Sequence, residues 1–221
     1  KEDNKLICSN SQYIFHKTKV EKDWSSACFF YGLTSIGKFK EIRIKSLQPS
    51  YLQGDSIVKD MFSSLGVKTI FDKKGALLSY DNRLLSANKE LTFNIKDFPD
   101  VFPALSVACF CLHKKVIIKG IKNLCFKESN RCFNFKNQRN NIFLQSMISG
   151  DDFIIENNTW NENEKIEFSS FDDHRLAMAF SLMALVFKEI IIDNPSCVEK
   201  SFKNFWQEVN NFLNIEVISN K

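Results

Sequence analysis

Charged landmarks recur along this chain at nearly constant distance, and that spacing restricts the possible folds more than any other feature of the sequence. Asp23 and Asp100 are 77 residues apart, while Asp100 and Asp173, Asp55 and Glu128, and Lys127 and Lys200 are each 73 apart. Within each interval the pattern is the same: an apolar helix opening just after an Asp, a β-rich strand, a second helix, then short strands. The first copy predicts a helix over 24–35, a strand over 39–44, a helix over 55–65 closed by Gly66, and strands over 67–71 and 76–80. The second predicts a helix over 101–112, a strand over 115–119, a helix over 129–140, and strands near 142–145 and 153–156. The third predicts a helix over 174–187, a strand over 189–193, a helix over 197–213 and a last strand over 215–218. The helix over 197–213 carries one apolar stripe, Phe202, Phe205, Val209 and Phe212 or Leu213, whereas that over 174–187 is apolar all round and belongs at the centre. Three units with buried first helices and exposed second ones make a pseudo-threefold α+β domain, with helices inside and sheets outside.

Composition matters here for what it excludes. A chain of 221 residues, 44% hydrophobic and 25% charged, can bury a full core, which rules out disorder. The longest apolar run, 176–187, is bounded by Arg175 and Lys188 and falls short of the roughly 20 residues a membrane span needs. No basic segment followed by an apolar stretch opens the chain, so a cytoplasmic protein without membrane contact is expected. Lys1 is not an initiator methionine, and a strand-like stretch over 13–20 has no earlier element to pair with, so a start inside a longer protein is expected. The seven cysteines are odd in number and form no Cys-x-x-Cys pair; free thiols and no metal site are expected. Net charge is +4, which fits an anionic substrate, nucleic acid or neither. Of 30 cationic side chains only Arg43, Arg83, Arg131, Arg139 and Arg175 are arginines. Against so strong a lysine bias, a retained arginine points to a place that needs a planar fork.

Helix starts bring unpaired N–H groups and partial positive charge, and the polar residues of this chain cluster at the starts of the three first helices. In Phe171-Asp172-Asp173-His174-Arg175, Asp173 suits an N-cap, while Arg175 suits either a carboxylate partner or a phosphate or carboxylate of a ligand. His174 can serve as a base or orient its neighbours. Asn123, followed by Lys127-Glu128-Ser129-Asn130-Arg131, reads as a salt-bridged turn or as a cationic cradle with an acid inside it. Asp100, after Pro99 and before an apolar helix, is by default an N-cap. Lys200 falls in the first turn of the helix predicted over 197–213, where a cation opposes the dipole unless an anion joins it.

These residues, with Val20-Glu21-Lys22-Asp23-Trp24-Ser25-Ser26-Ala27, Leu52-Gln53-Gly54-Asp55, Asp173-His174-Arg175-Leu176-Ala177-Met178 and Asp193-Asn194-Pro195 ahead of Cys197 and Lys200, give the chain its likeness to a known group. It resembles the enolpyruvyl transferases, and within them the 5-enolpyruvylshikimate-3-phosphate synthase family. The resemblance implies an inside-out α/β barrel. Residues 1–19 would end a missing amino-terminal domain, and 20–221 would form a carboxy-terminal domain of three repeats, about 20–96, 97–170 and 171–221. It implies transfer of the enolpyruvyl group of phosphoenolpyruvate to the 5-hydroxyl of shikimate 3-phosphate with release of phosphate, by a monomer without metal or cofactor. Asp100 would take the hydroxyl proton and bind shikimate 3-phosphate with Asn123 and Lys127. Glu128 would exchange a proton with the methylene carbon of phosphoenolpyruvate, Arg131, Arg175 and Lys200 would clamp that substrate, and His174 would lie beside them.

Two departures from the family pattern carry expectations of their own. Asn130 stands where the family has an acid, which removes a charge that could orient Arg131, and Asp172 adds a negative charge beside the anion site. Alternatives from the same residues are the related transferase acting on UDP-N-acetylglucosamine, a non-catalytic domain of this fold, and an RNA-binding module. The last lacks any recognisable aromatic RNA-binding motif.

Overall fold

A computed structural model describes residue 10 and residues 20–88, 90–140, 142–143, 145–156 and 163–216. The predicted strand over 13–20 falls outside the described residues except for Val20. Helix α1, Trp24–Gly37, starts because Asp23 accepts from the N–H groups of Ser25 and Ser26, and it stops at left-handed Lys38. It is buried on nearly every side, as are α3, Phe102–Cys111, and α5, His174–Ser181. Helix α3 packs on both α1 and α5, and α1 packs on the 3-10 turn that continues α5. Gly32 of α1 permits a close approach to that turn: a Cβ there would lie 2.6 Å from Leu182 Cδ1.

A sheet packs against each of the three helices. The strands β1, Ile42–Lys45, β2, Val67–Asp72, and β3, Gly75–Tyr80, form an antiparallel sheet in the order β1-β3-β2. The strands β4, Glu90–Asn94, β5, Lys115–Lys119, β6, Met147–Ser149, and β7, Asp152–Ile155, are ordered β4-β5-β7-β6. Thus β5-β7-β6 repeats β1-β3-β2. Strand β4 lies parallel to β5, with Leu91 opposite Val116, and α3 is the crossover between them. The third sheet pairs β8, Lys165–Phe168, parallel to β9, Glu189–Ile192, across α5, with Ile166 opposite Ile190.

The second and third units therefore open on a strand before their first helix, and the sequence reading lacks β4 and β8. Their alternation of buried and exposed residues is the period of a half-buried strand, but it is short. The second helices are shorter than expected. The predicted helix over 55–65 is a 3-10 turn, Gly54–Ile57, followed by α2, Val58–Ser63, and Gly66 ends it at φ +88° as predicted. That over 129–140 reduces to α4, Arg131–Lys136. Beyond it, Gln138 turns its amide to the backbone of Ser169 in the third unit, donating at 3.2 Å and accepting at 2.9 Å. The strand predicted near 142–145 is a turn at its described positions, because Phe143 plugs the core, stacked 4.2 Å from Phe135. Helix α5 gives way at Leu182 to a 3-10 turn, Leu182–Leu185, so the helix predicted to 187 changes winding where it meets α1.

The helix predicted over 197–213 is broken into a 3-10 turn, Pro195–Lys200, and α6, Phe205–Val209. Trp206 Nε1 donates to the Pro195 carbonyl at 2.8 Å, folding the turn back along α6. The apolar stripe is nonetheless placed as expected, with Phe205, Val209 and Leu213 buried and Phe202 and Phe212 packed beside them. Residues 215 and 216 are not in a strand, and the rest of the strand predicted over 215–218 lies outside the described residues. Between the units Phe102, Phe135, Phe143, Phe153 and Phe180 make one aromatic cluster. Each fully buried ring contributes about 1.5–3 kcal/mol.

Candidate active site

The starts of α3, α4 and α5 meet at a single side chain, Arg131, whose guanidinium has 0% exposure. Its Nε donates to Asp173 Oδ2 at 2.9 Å, one Nη donates to Asp100 Oδ1 at 3.0 Å, and the other donates to Glu128 Oε2 at 2.6 Å and Asp173 Oδ1 at 3.3 Å. A buried cation is tolerable only when its donors are satisfied and its charge balanced, and three carboxylates from the second and third units do both. Asp173 does double duty. It caps α5, accepting from Arg175 N at 3.0 Å and Leu176 N at 3.4 Å, and Ser129 Oγ also donates to it at 3.0 Å.

Asp100 is not the cap that its position before an apolar helix suggests. It sits in the 3-10 turn Pro99–Val101 ahead of α3 and makes no side-chain cap bond. Its carboxylate, 26% exposed, faces Arg131, Lys127 Nζ at 3.2 Å and an Nη of Arg175 at 3.2 Å. Glu128, equally exposed, lies between Arg131 and Lys200 Nζ at 3.2 Å. Lys200 is the last residue of its 3-10 turn, not part of a first helical turn, so the expected conflict with a helix dipole does not arise. Asn123 is exposed on the 3-10 turn Lys122–Phe126, which runs directly into Lys127. His174 is the buried first residue of α5, and its Nδ1 has no hydrogen-bond partner among the described residues.

The substitution at Asn130 does not leave Arg131 unoriented. Asn130 caps α4, its Oδ1 accepting from Phe133 N at 3.4 Å, while Arg131 is held by Asp173, Asp100 and Glu128. Asp172 is exposed and accepts from Asn194 Nδ2, and Asp193 accepts from Ser169 Oγ and Ser170 N, both at 2.6 Å. Together they pin a loop in which Phe171 and Asp172 both take left-handed φ, +52° and +56°.

These contacts set the protonation of the site. Burial alone would raise Asp100, but Arg175, Arg131 and Lys127 outweigh it and hold the carboxyl below its ordinary range. For Glu128 burial is likewise overcome, chiefly by its own N–H, Lys200 and Arg131. Burial and then Arg175 push His174 down, against Asp173 and Glu128, so its imidazole is neutral at neutral pH. Both carboxylates are therefore ionised, ringed by cations of which Lys127, Arg175 and Lys200 lie toward solvent. Such a site can take a multiply charged anion by exchanging internal ion pairs for ligand ones, and it holds two acids placed to move protons. Among the described residues, no group of three or more His, Cys, Asp and Glu side chains is placed to hold a metal ion, and no helix is long and apolar enough to cross a membrane.

Sequence reasoning names Asp100, Asn123, Glu128, Lys127, Arg131, Arg175, Lys200 and His174; the structure gathers all but Asn123, which stands exposed on the turn ahead of Lys127. It misses the second role of Asp173 as the buried partner of Arg131, which only tertiary contact reveals.

The family model of EPSP synthase (3-phosphoshikimate 1-carboxyvinyltransferase) matches residues 3–209. The chain is 31% identical to the 3-phosphoshikimate 1-carboxyvinyltransferase of Buchnera aphidicola subsp. Cinara cedri, over 97% of this chain and 47% of that protein. It is 30% identical to the enzyme of that name from Clostridium acetobutylicum, over 92% and 45%, and 27% identical to that of Bacteroides fragilis, over 86% and 46%. The chain spans about half the length of the curated relatives it matches.

Proposed function

The chain belongs to the EPSP synthase family, and from that premise we propose that it supplies one wall of a 3-phosphoshikimate 1-carboxyvinyltransferase, as the carboxy-terminal half of that enzyme. In this reading residues 1–19 close the preceding domain and 20–221 form three repeats around the central helices, an inside-out α/β barrel. The other wall comes from an amino-terminal domain, and the substrates are phosphoenolpyruvate and shikimate 3-phosphate, with no cofactor. The observation that carries the proposal is the Arg131 hub, which holds Asp100 and Glu128 ionised and side by side beneath Lys127, Arg175 and Lys200.

The chemistry follows from those contacts. Asp100, held low by cations, is a weak base at rest. When an arriving anion draws Arg175 and Lys127 toward itself, two of the charges that depress the carboxyl are shared and its basicity rises. Asp100 then accepts the proton of the 5-hydroxyl as that oxygen adds to C2 of phosphoenolpyruvate. Glu128, ionised at rest, takes up a proton as the arriving anion draws Lys200 from it, delivers that proton to the methylene carbon and takes one back as the C2–O bond to phosphate breaks, while Asp100 passes the hydroxyl proton to the departing phosphate. Arg175 and Lys200 stabilise the phosphate and carboxylate charge through both steps, Asn123 and Lys127 hold shikimate 3-phosphate, and His174 supports the start of α5. Arg131 acts on phosphoenolpyruvate from beneath, its own fork already filled by three carboxylates. The test is phosphate release by the complete gene product. Release that needs both substrates supports the reading; a folded protein that releases none with both present overturns it.

A further inference from the structure

The corner Asp193-Asn194-Pro195 has no part in the chemistry above, yet hydrogen bonds run from it toward both ends of the cation pair Arg175 and Lys200. Strand β9 ends at Ile192, and the Asp193 carboxylate accepts from Ser169 Oγ and from Ser170 N, both at 2.6 Å, in the loop ahead of α5. The Ser170 carbonyl in turn accepts from Asp173 N at 3.0 Å, and Asp173 caps α5 and grips Arg131. In the other direction Asn194 opens the 3-10 turn Pro195–Lys200: its carbonyl accepts from Cys197 N at 3.2 Å, and its Nδ2 donates to Asp172. Two adjacent residues therefore hold the start of the helix that carries Arg175 and the start of the turn that ends in Lys200. That turn packs on α5. The backbone here is strained without a glycine to relieve it. Of the six non-glycine residues at left-handed φ among the described residues, Phe171, Asp172 and Asn194 are three, at +52°, +56° and +38°. Such conformations persist only where surrounding contacts over-determine them, and the bonds of Asp193 and Asn194 are those contacts.

We propose that Asp193 and Asn194 are positioning residues: a clip that fixes the turn of Lys200 to the start of α5, so that Lys200 and Arg175 meet one anion together. In the free protein the two cations serve different carboxylates, Arg175 pairing with Asp100 and Lys200 with Glu128, each at 3.2 Å. An arriving anion must draw both to itself. Lys200 is 59% exposed at the end of a flexible stem, and a short 3-10 turn has little rigidity of its own. Its far end can be aimed only if its near end is tied to the frame that carries the other cation, and the corner is where that tie is made. The clip also gives Asp172 a task. That carboxylate, a negative charge beside an anion site, is engaged by the Asn194 amide.

The inference rests on the transferase reading, in which Arg175 and Lys200 meet phosphoenolpyruvate while Asn123 and Lys127 meet shikimate 3-phosphate, and that division supplies the test. In the complete gene product Asp193→Ala removes the acceptors of Ser169 and Ser170. It should raise KM for phosphoenolpyruvate roughly tenfold and leave KM for shikimate 3-phosphate within about twofold of wild type. Loss of a negative charge would by itself strengthen anion binding, so a weakened site reports geometry. Asp193→Asn keeps one oxygen for Ser170 N and should recover most of the loss. Asn194→Gly accepts the left-handed backbone and deletes the side-chain bonds to Asp172 and Ser196 without changing charge. It should raise the same KM about threefold, a result that stands even where Asp193→Ala does not fold. Calorimetry with inorganic phosphate, in the presence of shikimate 3-phosphate, reads the cation pair without turnover. If the wild type binds phosphate and turns nothing over, weaker binding in Asp193→Ala and Asn194→Gly still supports the clip while the transferase reading falls. Unchanged KM and phosphate affinity in both variants overturn the clip even in an active enzyme, as does a fall in kcat with neither KM moved or an equal rise in both KM values. A wild type that neither turns over nor binds phosphate overturns both.

Discussion

The turn before α2 and the turn before α4 occupy the same place in two copies of one unit, yet they hold their acids in opposite ways. Glu128 and its neighbour Asp100 are gripped by arginine and lysine and titrate below the ordinary carboxylate range. Asp55 is gripped by a serine hydroxyl and titrates above it. The backbone plan is shared, so the difference lies in which side chains the third unit adds. That unit contributes Asp173, Arg175 and Lys200, all to the Asp100 and Glu128 side. A repeated scaffold thus sets where charges stand, and contacts between units decide which of them can do chemistry.

The largest effect should come from breaking the grip itself. Arg131→Ala leaves Asp173 buried without its cation and returns Asp100 and Glu128 to mutual repulsion. It should cost about 3–5 kcal/mol, read as a lower denaturant midpoint at unchanged slope. Next, Asp100→Asn should lower kcat/KM by roughly two orders of magnitude or more, as expected for loss of a general base, with little loss of secondary structure.

The two turns should also respond oppositely to pH. Asp100 and Glu128 have folded values below their unfolded ones. Their stabilisation is present above the unfolded carboxylate range, about pH 4, and is lost as pH falls through the folded values. Asp55 has a raised folded value, so its contribution is full below the unfolded value and is lost as pH rises through the folded one. Asp55→Asn should therefore raise the melting temperature at neutral pH and Asp100→Asn should lower it, and the gap should narrow in acid. Equal shifts in the same direction would dissolve the contrast. The smallest effect is a control: Arg83 pairs with Asp81 on the surface at 2.7 Å, and Arg83→Ala should leave melting unchanged within error in physiological salt.

How much of this could be read in advance follows the physics of each feature. The first helices were legible because apolar runs of ten or more residues behind an acid have few other folds open to them. Strands β4 and β8 were not, since five and four alternating residues carry little signal. The break between Lys200 and Phe205 was invisible to periodicity, because the stripe through Phe202, Phe205 and Val209 faces the core either way, and the bond from Trp206 to Pro195 that bends the chain is tertiary. At the site the charged residues were readable one by one. Their pairing was not: neither the diversion of Asp100 from capping to Arg131, nor the harmless role of Asn130 as a cap, is encoded in spacing.

The most direct test of the account is phosphate release from phosphoenolpyruvate and shikimate 3-phosphate by the complete gene product, wild type beside Asp100→Asn, with both shown to be folded by circular dichroism. The account predicts turnover in the wild type and a loss of roughly a hundredfold or more in the variant. Equal rates in the two proteins would contradict the assignment of Asp100 as the base.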